Sequence, residues 1–301
     1  MEPHFRRVAI IGLGLIGASL AASLKRFGLA GHIVAFDGNG VSLKEGLEMG
    51  LIDSTAISAR KASQGADLVV LAVPVLAMEA VFKDIKPVLD KEGVIVTDVG
   101  SVKCVVLDAA TRVLGRLPGN LVPGHPIAGS ERHGVTAADP NLFAHHKIIL
   151  TPRLQTDGEA TRRIREMWQA MDADVVEMDP EHHDTILAQT SHLPHLLAFA
   201  LIDTLSQLGD TFELFEYAAG GFRDFSRIAA SDPIMWRDVF ATNSAPVLEI
   251  LDRYMDDLGR LRQMIASGNL DDLANVFARS KAARDHFSRI IEQREIKRKS
   301  Q

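Results

Sequence analysis

At 301 residues the chain is long enough for one large domain or two ordinary ones with a buried core. Its 47% hydrophobic and 24% charged content excludes a disordered chain, and a net charge of −6 argues against nucleic acid as a partner. The single cysteine, Cys104, excludes an intrachain disulfide framework and a cysteine-cluster metal site, and suits a reducing, cytoplasmic setting. No secretory leader is expected, nor any uninterrupted apolar run of about 18 residues that would span a membrane.

Up to residue 178, short β-branched runs alternate with helical patterns. RRVAIIGLG, GHIVAFD, ADLVVLAVP, GVIVTDVGS, NLVPGHP, KIILTP and ADVVEMD read as strands bounded by Gly, Pro or Asp. SLAASLKRFG and LAMEAVFKDIKPVLD, between them, have helical spacing. This alternation predicts an α/β domain over 1–178, with a parallel sheet covered by helices on both faces, the Rossmann arrangement. From residue 179 the strand signal stops. PEHHDTILAQTSHLPHLLAFALIDTLSQL reads as one long apolar helix, with Pro194 a point of kinking, and further helices follow to the basic end REIKRKS. The region 179–301 is therefore an all-helical domain, and its apolar excess suggests a subunit interface.

The first strand runs into Gly12-Leu13-Gly14-Leu15-Ile16-Gly17 and then into an alanine-rich helix. In that context Gly12 permits the tight turn, Gly14 lets the backbone approach a pyrophosphate, and Gly17 allows close helix–strand packing. The N–H groups at the helix start, from Leu15 and Ile16 onward, face the anion. The second strand ends at Asp37, a carboxylate able to accept from both ribose hydroxyls and to repel a 2′-phosphate. Gly38-Asn39-Gly40 offers no cation for that phosphate, so NAD is favoured over NADP. Cofactor sites on such sheets lie outside the carboxyl ends of the strands, which singles out three further segments. These are Val73-Pro74 in AVP, Ser101 and Lys103 in TDVGSVK, and His125 in PGHPIAGSE, just past a strand end and dense in Gly and Pro. Ser101 also has a plainer reading as a helix N-cap. In SHLPH, His192 and His195 share a helical face, but no third ligand completes a zinc site and no metal is expected. GGFRDFSR supplies Arg223, Asp224 and Arg227, and an arginine fork suits a carboxylate.

GLGLIG, DVGSVK, GHPIAGSE, SHLPH and GGFRDFSRIAASDPIMW, in this order from about residue 8 to residue 250, resemble the prephenate/arogenate dehydrogenase family of tyrosine biosynthesis. The resemblance implies an NAD-dependent oxidative decarboxylation of prephenate to 4-hydroxyphenylpyruvate, with arogenate, which gives tyrosine, as a second substrate. The length matches the family's stand-alone form, so neither a fused chorismate mutase nor a regulatory domain is expected. The resemblance makes His125 the proton acceptor and gives Ser101 a shared hydrogen bond to the substrate hydroxyl. It places Arg227 on a substrate carboxylate and His192 and His195 along the same cleft, with Ser130 beside it. Glu131 and Asp224 match acidic positions that gate the site or pair with the arginine, and Trp236 closes the pocket wall. It also implies a homodimer through the helical domain.

Arg132-His133 has no role derivable from the residues, but borders the side-chain end of the substrate, where a cation favours a keto acid. Two other readings share parts of this pattern. One is another two-domain NAD(P)-dependent dehydrogenase or reductase, acting on a hydroxy or imino acid. The other is a non-catalytic NAD-sensing protein, which needs only the glycine turn. The other dehydrogenases do not explain HPIAGSE together with SHLPH, and retention of His125, Ser101 and Arg227 together argues against the sensing protein.

Overall fold

The computed structural model describes residues 3–89, 93–129, 132–208 and 216–299. The chain divides into two compact units, Met1–Val247 and Leu248–Gln301. In the first, six strands form a parallel sheet: β1 (Val8–Ile11), β2 (Ile33–Phe36), β3 (Ser54–Thr55), β4 (Leu68–Leu71), β5 (Ile95–Asp98) and β6 (Leu121–Val122). Their order is β3-β2-β1-β4-β5-β6, the order of dinucleotide-binding folds. The register pairs Val8 with both Ile33 and Leu68, so β1 is central.

Apolar residues at every position of β1 and β4 follow from burial on both faces. Val8, Ile10, Leu68 and Val70 turn to one core, shared with α1 (Leu15–Arg26) and α6 (Gly158–Gln169). Ala9, Ile11, Val69 and Leu71 turn to the other, shared with α3 (Ala59–Ser63), α4 (Met78–Leu89) and α5 (Cys104–Leu114). Local chemistry starts several helices. Asn39 caps α2 (Gly40–Glu48), Ser58 caps α3, Asp157 caps α6, and Asp179 followed by Pro180 starts α7 (Pro180–Leu187).

The segment NLVPGHP departs from the expected single strand of the parallel sheet. Pro123, which has no N–H to continue the ladder, ends β6 after two residues, and its carbonyl accepts from Thr151 N at 2.9 Å. The chain then enters a second sheet as β7 (Gly124–Ile127), antiparallel to β8 (Lys147–Leu150), which pairs in parallel with β9 (Asp174–Glu177). His125 therefore lies in a strand opposite Ile149, not in an irregular loop.

The long apolar helix is present over Pro180–Ser206, interrupted by a π-turn at Ala188–His192 between α7 and α8 (Leu193–Ser206). Pro194 cannot donate to the carbonyl four residues before it, and the widened turn lies immediately ahead of it. Contrary to the sequence expectation, this helix is long and apolar enough to cross a membrane by length and composition. Its buried His183, Asp184 and His192 are instead hydrogen-bonded within the first unit. α9 (Gly220–Ser226), a 3₁₀ turn at Arg227–Ala230 and α10 (Pro233–Thr242) follow, with Asp232 capping α10. The unit boundary falls inside α11 (Ser244–Ser267), and the second unit continues through α12 (Leu270–Lys299). In that unit Met255, Leu258, Ile265, Phe277 and Phe287 are exposed on the single chain.

Candidate active site

The glycine turn joins β1 to α1. Gly12 has φ +97°, and a β-carbon there would lie 2.3 Å from the Ala72 carbonyl oxygen at the end of β4. One on Gly17 would lie 2.1 Å from the Gly12 carbonyl oxygen, so both positions require glycine. Gly14 differs: a β-carbon there would meet nothing within 4 Å, so the turn opens outward and leaves room for a phosphate to reach the backbone. Leu15 and Ile16, half-buried, form the first turn of α1. Asp37, half-buried past β2, accepts from Leu13 N at 2.6 Å and Asn39 N at 2.7 Å, which fixes its carboxylate beside the turn. Each of its oxygens keeps a lone pair for a ribose hydroxyl. Gly12, Gly14, Asp37, Val73 and Pro74 line one cleft of about 320 Å³. Open backbone, free carboxylate lone pairs and cleft fit a dinucleotide without a 2′-phosphate.

Beyond β5 and β6 lies a buried polar cluster. Lys103 and Asp98, both fully buried, form an ion pair, and Lys103 Nζ also donates to the Gly124 carbonyl at 2.6 Å. Asp98 in turn accepts from Gly100 N at 2.8 Å and from Gly124 N at 3.3 Å. These bonds hold the residue before His125 against the end of β5. The His125 ring, 9% exposed, has Nδ1 2.9 Å from His183 Nε2, and His183 Nδ1 is 2.7 Å from Asp184 Oδ1. Asp184 also accepts from Lys103 N at 2.8 Å and Cys104 N at 2.9 Å. Thus α5 begins at Cys104 and a carboxylate 80 residues away caps it; Ser101 is not its N-cap.

Burial drives the His125 pKa well below its usual value, with His183, Lys103 and His192 adding to the effect. Burial likewise lowers His183, against the pull of Asp184. Burial alone would raise Asp184, yet hydrogen bonds from His183 and the amides of Lys103 and Cys104 hold its carboxyl below the usual range.

The helical segment supplies the opposite wall. His192, 1% exposed, accepts from Asn243 Nδ2 at 3.1 Å, and the same amide donates to the Asp184 carbonyl at 2.8 Å. Burial lowers the His192 pKa to about 4. His195 donates from Nδ1 to the Ser191 carbonyl at 2.8 Å and stacks on Trp236, ring centroids 3.9 Å apart. Burial lowers His195 too, and the charge of Arg227 contributes. Trp236 packs with Val239 on Val102, the neighbour of half-buried Ser101. Arg227 is exposed in its 3₁₀ turn, Asp224 is exposed on α9, and Arg132 and His133 are exposed. Ser130 and Glu131 lie outside the described residues. Among the described residues no group of three or more metal-ligating side chains could hold an ion.

His125, Ser101, His192, His195 and Trp236 thus share one region, with the glycine turn and Asp37 along the same sheet edge. Residue patterns missed His183, Asp184 and Asn243. The pair in PEHHDT opens the long apolar helix, and nothing local marks its second histidine as buried.

A dinucleotide fold with a buried histidine at the sheet's carboxyl edge, facing a helical wall of His192, His195 and Trp236, defines a dehydrogenase-type enzyme. Comparison with known proteins narrows the class. Residues 20–177 match the prephenate dehydrogenase nucleotide-binding domain, and residues 179–279 match the prephenate dehydrogenase dimerization domain. The cyclohexadienyl dehydrogenase of Zymomonas mobilis is 38% identical over 93% of this chain and 95% of its own. The prephenate dehydrogenase of Bacillus subtilis is 34% identical over 93% of this chain and 74% of its own. A crystal structure of Aquifex aeolicus prephenate dehydrogenase, in complex with hydroxyphenyl propionate and NAD+, superposes with TM-score 0.86 at 37% identity. It covers 94% of this chain and 98% of that one. The chain belongs to the prephenate dehydrogenase family.

Proposed function

We propose that this chain catalyses the NAD-dependent oxidative decarboxylation of prephenate to 4-hydroxyphenylpyruvate in tyrosine biosynthesis, and turns over arogenate as a second substrate. The observation that carries this reading is His125: a buried neutral imidazole at the carboxyl edge of a dinucleotide-binding sheet. When bound, NAD supplies the hydride acceptor. A carbinol gives up hydride efficiently only as its hydroxyl proton departs, and His125 takes that proton. Ser101 shares the hydroxyl's hydrogen bond. Arg227 grips a substrate carboxylate, with His195 beside it and Trp236 behind, and His192 keeps that wall in place. Asp224, Ser130 and Glu131 complete the substrate side. Gly12, Gly14, Leu15, Ile16 and Gly17 hold the pyrophosphate, Asp37 the ribose, and Val73 and Pro74 the adenosine-side cleft. Loss of the ring carboxylate as carbon dioxide then leaves an aromatic ring.

The region 1–178 is proposed as the NAD-binding domain, and 179–301 as the helical substrate and dimerisation domain of a cytoplasmic homodimer. The family match to a dimerization domain supports the assembly. The test is NADH formation with prephenate and with arogenate, each with NAD and NADP. Turnover of prephenate with NAD is expected; no turnover of either ring substrate would refute the reading.

A further inference from the structure

The hydrogen bonds beneath His125 decide which of its ring nitrogens bears the proton. Asp184 can only accept, and its two oxygens already take the amides of Lys103 and Cys104. The hydrogen between Asp184 Oδ1 and His183 Nδ1, 2.7 Å apart, therefore belongs to His183. Fully buried, with the Lys103 ammonium nearby, His183 is neutral, so its Nε2 carries a lone pair. The only donor for that lone pair across the 2.9 Å contact is His125 Nδ1. His125 is then left with an unprotonated Nε2. Were His183 cationic, the order would reverse and His125 would hold its hydrogen on Nε2, unable to accept another there.

We propose that His183 and Asp184 are positioning residues that lock His125 in the Nδ1–H tautomer, making its Nε2 the proton acceptor of the reaction. They touch neither substrate nor cofactor and act through His125. When Nε2 takes the hydroxyl proton, the resulting imidazolium keeps its Nδ1–H bond to His183, and the negative Asp184 carboxylate at the far end stabilises the new positive charge. Lys103, Asp98, His192 and the Cys104 thiol, which hydrogen-bonds Asp184, are ionisable groups that face this chain, and Lys103 also anchors Gly124, one residue before His125. The proposal rests on the prephenate dehydrogenase reading only for what the base acts on; the tautomer is a property of the protein alone.

The experiment has two arms on the full-length chain. In the first, nitrogen NMR of histidine-labelled wild-type protein without substrate reads the ring state of His125, assigned by loss of its signals in His125→Asn. A protonated Nδ1 and bare Nε2 are expected; the opposite tautomer overturns the proposal whatever the enzyme's substrate. In the second, His183→Leu removes the acceptor, and His183→Gln places an amide oxygen where Nε2 lies. His183→Leu should lower kcat roughly 100-fold while NAD affinity holds, and His183→Gln should recover about tenfold of that loss. Equal losses in both variants, at wild-type NAD affinity and melting temperature, overturn it. If wild type fails to oxidise prephenate, the functional reading falls while the NMR arm still decides the tautomer.

Discussion

His125 is held neutral because its surroundings oppose charge. Burial comes first, then the neighbouring His183, Lys103 and His192, and together they keep the imidazole neutral well below pH 6.5. The acidic limb of kcat/KM should therefore lie below the ordinary histidine pKa, as a pH–rate profile would read; a limb at or above 6.5 would contradict the environment of the ring. Replacing His125 by Asn should lower kcat by about 10²–10⁴ and leave NAD affinity nearly intact. Arg227→Ala should act on KM instead, raising it about 10- to 100-fold, the scale of a lost charge-assisted hydrogen bond. An unchanged KM removes Arg227 from the substrate site. His192 bears on stability as well. Its pKa falls on folding, from the ordinary 6.5 to about 4, so the unfolded chain binds more protons between those values. Stability is full above pH 6.5 and is lost as pH drops toward 4, by on the order of 3 kcal/mol from this group. Urea midpoints at pH 7 and pH 5 should converge in His192→Gln relative to wild type.

At the scale of elements, the glycine turn separates fold from binding. Gly12→Ala would drive a methyl into the Ala72 carbonyl at a left-handed φ, so the β1–α1 junction itself should loosen and the melting temperature fall. Gly14→Ala meets no protein atom, so its melting temperature should match wild type, while NAD binds about tenfold or more weakly. Calorimetry of both variants checks the pair, and equal melting losses would contradict the open geometry at Gly14. The turn, its strand and its helix were legible because every requirement is local: an apolar run, three spaced glycines, a helix start. Asp37 was legible for the same reason. The strand at His125 was not. The density of Gly and Pro in PGHPIAG argues against a strand, yet β8 offers antiparallel partners that Gly124 through Ile127 can use once Pro123 has released the first sheet. The start of α5 misled similarly. Ser101 has the chemistry of an N-cap, but the helix begins three residues later on a carboxylate from α7.

For the whole molecule, the apolar helical half and the match to a dimerization domain lead to one assembly. Sedimentation equilibrium should return a mass of twice the 32.8 kDa chain, and a monomer throughout the micromolar range would count against it. Alternation of strand and helix, the closing stretch of helices, the glycine turn, the strand-end carboxylate Asp37 and the candidacy of His125 all follow from residues within a few positions of one another. Short-range order of that kind needs only periodicity, caps and backbone freedom, which a linear chain displays. The chemistry beneath His125 depends on groups 58 and more residues apart, and neither His183 nor Asp184 differs locally from residues on a solvated helix. Only when α7 is packed against β7 and the start of α5 does water leave them. From that point an ordinary His-Asp pair, at polar contacts under 3 Å, assigns the tautomer of a ring on another element.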